Sequence, residues 1–192
     1  MSRSNSVHTA LYLFPPLGWW RMINGRSSQI DLGENWVKQS LRSRYDLVGP
    51  NGPISLSVPT IKSTRGRLVD VEISYIQDWV TQHIRSVRTA YNRSPFYDFY
   101  GPEYEALLES RPKTLVDLNR SALSWLMKRL EISGEVYFSE TYLGEHDNWQ
   151  QSSDAYQQVF DERHGFMEGL SALDALFNLG PEAGRLIYKP QS

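Results

Sequence analysis

Lys38, Arg42 and Arg44 fall at even spacing in the stretch Trp36 to Leu47, while most apolar residues there (Val37, Leu41, Tyr45, Leu47) hold the odd positions. Period two reads as a strand with its cations on one face. Arg42 and Arg44 would then stand about 7 Å apart, close enough to grip one phosphate or carboxylate together. The competing reading is an exposed face whose cations are solvated or paired with Asp70 and Glu72 on a neighbouring strand. A second constellation is Arg163-His164-Gly165. An imidazole titrating near neutrality suits general acid–base work, and an adjacent guanidinium can hold an anionic group. Gly165 as a turn and His164 as a hydrogen-bonded structural residue is the alternative. The candidate site is therefore His164 and Arg163 as catalytic groups, with Lys38, Arg42 and Arg44 binding an anionic small-molecule substrate.

Other chemistry is thinner. The chain has no cysteine, which excludes disulfides, thiolate catalysis and Cys-based zinc sites. Its four histidines show no close metal-ligand spacing, so no metal is expected, and no motif names a cofactor. His83 borders the apolar stripe of a helix and reads as a satisfied structural residue, while His8 and His146 carry no signal. Pro15-Pro16-Leu17-Gly18 leads from a strand to a helix start, where anions often bind. Yet neither G-x-G-x-x-G nor a Walker sequence is present, and a structural turn is the simpler reading. Ser171 and Asp174 have the form of a capping box. No nucleophile elbow occurs.

At 192 residues, with 40 % apolar and 22 % charged residues, the chain can build one well-filled domain, expected to span 1–192. A net charge of −2 argues against nucleic-acid binding. The apolar run from Ala10 to Trp20 is broken by Pro15-Pro16 and is too short to cross a bilayer. A cytoplasmic protein without a transmembrane segment is expected.

Residues Met1 to Ser6 read as a frayed tail and Thr9–Phe14 as a buried strand. A short helix follows through Trp19, Trp20, Met22 and Ile23, with Gly25 as its stop. The basic strand, a turn at Gly49 to Pro53, a strand through Ile54, Leu56 and Val58, a turn at Arg65-Gly66 and a strand through Val69, Val71 and Ile73 make a three-stranded meander. Helices follow: one with Ile76, Val80, Ile84, Val87 and Tyr91, an aromatic one after Pro95, and one opened by Thr114 and Asp117. A strand at Val136–Phe138 and a polar surface loop at Gly144–Asp154 come next, then a helix that Gly180 and Pro181 terminate. The fold class expected is α+β: a mixed sheet with an antiparallel meander in the N-terminal half, covered by helices mostly from the C-terminal half, or else an α/β three-layer arrangement.

Four blocks in order carry a resemblance: Tyr12 to Gly18, Lys38 to Arg44, Ala90-Tyr91 with Ser94-Pro95-Phe96, and Gln158-Val159-Phe160 through His164-Gly165-Phe166 to Leu170–Pro181. Together they resemble the WbqC-like protein family, in its short Bacteroidetes-type members. The resemblance implies a role in surface-polysaccharide biosynthesis, O-antigen or capsule. It further implies a transferase that modifies a nucleotide- or lipid-linked sugar with an acyl or aminoacyl group. The alternative is a non-catalytic binding or assembly module whose abundant aromatics form a partner surface. The enzyme reading expects the basic face and His164 to meet in one pocket.

Overall fold

Strand β1 (Ser6–Ala10), helix α1 (Leu17–Ile23) and strand β2 (Arg26–Asp31) form a parallel β–α–β unit. The connection is long enough to return the chain to the same end of the sheet, as parallel pairing requires. These features come from a computed structural model that describes residues 6–61, 66–151 and 154–188. Strand β5 (Gly134–Ser139) joins the other side of β2, so the order is β1-β2-β5, all parallel. Ala10, Asp31 and Ser139 stand in register at the carboxyl ends. A separate antiparallel hairpin pairs β3 (Arg44–Gly49) with β4 (Gly52–Ser57). Helices α2 (Trp79–Tyr91), α3 (Tyr97–Glu109), α4 (Leu115–Arg129), α5 (Asp161–His164), α6 (Ala172–Leu179) and α7 (Arg185–Tyr188) complete the elements.

The fold is α+β, with most helices C-terminal to the hairpin. The sheet is not one mixed sheet with a meander, however, but a parallel sheet plus a hairpin. In place of a third strand through Val69 to Ile73 there are a 3-10 turn, Leu68–Asp70, and isolated bridges, Thr60 with Ile73 and Glu72 with Thr114. The basic stretch is also not a strand before Arg44, since residues 38–43 are turns. Strand β1 starts and ends earlier than expected, because Leu11 to Phe14 leaves the sheet and Leu13 N donates to Leu41 O instead. Strand β2 has no sequence signature: Arg-Ser-Ser-Gln-Ile-Asp lacks the apolar run that a central parallel strand normally shows. Of the expected frayed tail, residues 1–5 lie outside the described residues, as does the Arg65 side of the expected second turn, whereas Ser6 opens β1.

Helix starts follow local chemistry. Thr114 Oγ1 accepts from Asp117 N at 3.1 Å, and Asp78 accepts from Thr81 N. Helix α2 starts after Ile76, which is 95 % exposed, while Val80, Ile84, Val87 and Tyr91 are buried as their spacing requires. Nine of the 24 aromatics are buried, and Trp19, Trp20, Tyr45, Tyr91, Tyr104 and Phe177 are fully so.

Two polar networks thread that core. Tyr45 Oη lies 3.0 Å from His83 Nδ1 and 2.6 Å from Tyr104 Oη. His83 is a satisfied interior histidine, as its place beside the apolar stripe implies. The second network is centred on Asp174, which does not close a capping box. Ser171 Oγ caps α6 by accepting from Leu173 N, and the Asp174 carboxylate turns inward. It accepts from Tyr91 Oη at 2.7 Å, Tyr156 Oη at 2.6 Å and Gln158 Nε2 at 3.1 Å. Burial raises its pKa, partly offset by these three donors.

Replacing Asp174 with leucine strands three donors, each costing about 1–3 kcal/mol. Urea denaturation is expected to show a larger loss for Asp174→Leu than for Asp174→Asn, which keeps one acceptor oxygen. Acidification tests the other network. Burial lowers the His83 pKa from 6.5 to about 4, so between those values the unfolded chain binds a proton that the folded chain refuses. Stability carried by His83 is complete above pH 6.5 and is lost as pH falls toward 4, by roughly 3 kcal/mol at 1.36 kcal/mol per unit. Asp174 acts in the opposite sense, because its raised pKa favours the folded state on acidification. The difference between stability–pH profiles of wild type and His83→Gln isolates the histidine. Parallel profiles would show that His83 contributes nothing.

Candidate functional site at the carboxyl ends of the parallel strands

Parallel strands leave a crevice beyond their carboxyl ends, and ligands of parallel α/β sheets bind there. In this chain three segments meet at that edge: Leu11–Phe14 after β1, Leu32–Asn35 after β2, and Glu140–Gln151 after β5. They carry a compact set of ionisable groups. Asp31, last residue of β2, is fully buried. One of its oxygens accepts from Gly33 N at 2.8 Å and the other from Leu143 N at 2.9 Å. Glu34, 5 % exposed, accepts from Arg42 Nε at 2.7 Å and also from Arg42 Nη2. The Arg42 guanidinium also lies 5.6 Å from the centre of the Tyr12 ring, within cation–π range. Asn119, fully buried on α4, donates to the Arg42 carbonyl at 2.7 Å and the Leu11 carbonyl at 3.4 Å. One amide thus ties together the segments that hold Arg42 and Tyr12.

His146 sits over this set. Its Nε2 is 3.5 Å from Asp31 Oδ2, and its Nδ1 is 4.0 Å from Glu34 Oε2. Nε2 is buried and makes no aligned hydrogen bond among the described residues, although the carboxylate is near enough for ion pairing. The electrostatics follow from burial and charge. Burial raises the Tyr12 pKa, against the lowering effect of Arg42. Burial works to lower the Arg42 pKa, but the bonds to Glu34 outweigh it and the net shift is upward.

The residues singled out by sequence are dispersed. Lys38 is exposed on the turn that precedes Arg42. Arg42 is at the cluster, but its charge is taken by Glu34. Arg44 opens β3, half-buried, with Nε lacking a partner among the described residues. Arg163 is exposed on α5. His164 is half-buried, and its Nε2 lies 3.2 Å from the Pro50 carbonyl at the hairpin turn. Arg44 and the turn mark opposite ends of β3, about 17 Å apart at 3.3 Å per residue. An open depression of about 600 Å³ lies near α5, lined by Ala155, Tyr156, Gln157, Asp161, Glu162 and Phe166. It includes neither His164 nor any of the basic residues.

Asp31, Glu34, Tyr12 and His146 escaped sequence reasoning. Their separation in the chain hides them, and only Asp31 ending a strand could have drawn notice, had β2 been legible. Residues 144–151 form the expected surface loop, without helix or strand and mostly exposed, but the loop is tied down. Asp147 accepts from His8 N at 2.8 Å and donates its own N–H to the His8 carbonyl at 2.7 Å.

The geometry defines an α+β protein with a charged crevice at the edge of a small parallel sheet. The chain belongs to the WbqC-like protein family, whose model matches residues 11–152. That span holds Tyr12, Asp31, Glu34, Arg42 and His146 and ends ahead of Arg163 and His164. No curated protein and no solved structure matches the chain.

Breaking a buried ion pair from one side leaves an unpaired charge, at about 3–5 kcal/mol, whereas replacing both partners by apolar groups is often neutral. Arg42→Ala is expected to destabilise strongly, and Glu34→Leu/Arg42→Met to recover much of that loss in urea denaturation. Additive losses would show that the pair is not coupled.

Proposed function

We propose that this protein is a transferase of surface-polysaccharide biosynthesis that adds an acyl or aminoacyl group to a nucleotide- or lipid-linked sugar at the carboxyl ends of its parallel strands. The observation that supports the reading is the Asp31–His146 pair beside the Glu34–Arg42 ion pair, inside the part of the chain that the family model matches. Asp31, 3.5 Å from Nε2, would balance the charge that a proton brings to the imidazole. Nδ1 faces Glu34, whose own charge is already answered by Arg42. An acceptor hydroxyl or amine near Nδ1 would give its proton there while attacking the acyl carbon; the bond from that carbon to the donor's carrier group then breaks, and the imidazolium returns the proton to the departing carrier. Arg42 is a fixed part of the wall, so Lys38, on the same turn and in no ion pair among the described residues, is the better cation for a substrate phosphate. Arg44 is a second cation for the same anion.

The binding-module alternative is less well supported, because most aromatics are buried or packed against the core, and the exposed ones, Phe99, Tyr137, Tyr142 and Tyr188, come from four different segments.

A thermal-shift series with UDP-N-acetylglucosamine, sugar phosphates and acyl donors tests the proposal. Ligand at 100 times its dissociation constant adds about 2.7 kcal/mol, several degrees for a domain of this size. Lys38→Ala is expected to weaken the response at least tenfold in concentration. His146→Gln is expected to keep the shift but lose product formation by at least 100-fold. Retention of full activity in His146→Gln, with loss in His164→Ala, would move the chemistry to α5.

A further inference from the structure

The charged cluster lies under a strap. Residues 140–151 leave β5 and run over the crevice without regular structure. At the root, the strap presses on Gly33, where a Cβ would stand 2.4 Å from the Glu140 oxygen and 2.5 Å from Tyr142 N. In the middle it is pinned by Leu143 N on Asp31 and by the reciprocal contact of Asp147 with His8. At the far end the Trp149 ring meets Tyr12 edge-on at 6.3 Å, and the Gln150 carbonyl occupies the space that a Cβ on Gly18 would need, 1.8 Å away. Beneath it Asp31 is fully buried and the Glu34 and Arg42 side chains are 6 % and 11 % exposed. A sugar-sized substrate has no way to Asp31, Glu34 or the inner side of His146 while the strap is seated.

We infer that the strap is a gate: it lifts from Tyr12, His8 and Gly18 to admit substrate, and on reseating it delivers His146 to Asp31. The role rests on the functional reading above, whereas the opening itself does not. The pins are those of a seat that can release. The middle is held by a few hydrogen bonds, and the far end by the Trp149 ring contact and side-chain hydrogen bond to Tyr12 and by a glycine-sized gap. Gly144, with φ of 100°, offers a backbone pivot between the Asp31 pin and His146. The candidate base rides on the moving part, so a closed strap both excludes water and completes the site.

The absence of native cysteine allows a clean lock. In His8→Cys/Asp147→Cys the only possible intramolecular disulfide joins the strap to β1. The backbone bond from Asp147 N to the His8 carbonyl, which the double variant keeps, brings the two residues near the span of about 4.4–6.8 Å between Cα atoms that a disulfide bridges. Gly18→Ala is the opposite perturbation, forcing Gln150 off its seat. Hydrogen–deuterium exchange reads opening directly. In wild type the Leu143 and Asp147 amides are expected to exchange at least 100-fold faster than Ile30 in β2. The oxidised double variant should slow Asp147 at least tenfold, reductant should restore it, and Gly18→Ala should accelerate both strap amides. Strap amides as slow as Ile30 in wild type would overturn the gate.

The thermal shift with UDP-N-acetylglucosamine then links opening to the site. It is expected to vanish in the oxidised variant and return on reduction; a shift that survives the closed bridge also overturns the gate. Fast strap exchange with no shift in wild type for any sugar or acyl probe would uphold the opening and remove the transferase assignment instead.

Discussion

A carboxylate buried at the end of a central strand must be answered by donors, and Asp31 recruits one from its own strand exit and one from a distant part of the chain. The Gly33 amide folds the β2 exit back on itself, and the Leu143 amide draws in the segment after β5. That second bond sets the path of the strap and brings His146 to the sheet edge. Without a residue of this kind at the last position of β2, the polar loop after β5 would have little reason to cross the crevice. Gly33 is part of the same constraint, since the strap passes where any side chain would stand.

The rest of the scaffold supports that edge. Phe14, held at φ of 47°, points its ring at Tyr45, 4.9 Å away, and Tyr104, 5.7 Å away, and so locks the segment after β1 to the hairpin and α3. Asp174 draws α2, α6 and residues 156–158 together through Tyr91, Tyr156 and Gln158, while Ser171 N and Ala172 N bond to Asp46 and Pro15 carbonyls. Gln158 also clasps both backbone groups of Met167, which closes the loop that holds α5. The C-terminal blocks of sequence that carry the family resemblance are thus explained largely by cohesion of the core.

Charge is used sparingly. Arg42 looks like an anion-binding residue, yet its guanidinium is committed to Glu34, and its place beside Tyr12 is fixed by Asn119. This is a general hazard in reading cations from sequence: the partner that neutralises an arginine need not be near it in any period. Here it lies eight residues earlier, on the exit from a strand whose sequence is almost wholly polar. His164 presents the same lesson, because a backbone carbonyl in the hairpin turn engages its ring.

The sequence by itself determined the α+β class, the hairpin at Gly49 to Pro53, the main helices with their Thr114 and Gly180 boundaries, the structural role of His83 and the family. Those features depend on local signals: apolar period, capping side chains, turn residues and ordered motifs. Tertiary structure decided the parallel sheet, the loss of the meander's third strand and the candidate site. Strand β2 has no apolar pattern because Ser28 and Asp31 are buried polar residues, so its existence depends on pairing with both neighbours. Asp31 and His146 are more than 100 residues apart, and no local rule couples them. They become one site only when three parallel strands end in register and a buried carboxylate pulls a distant loop across the gap.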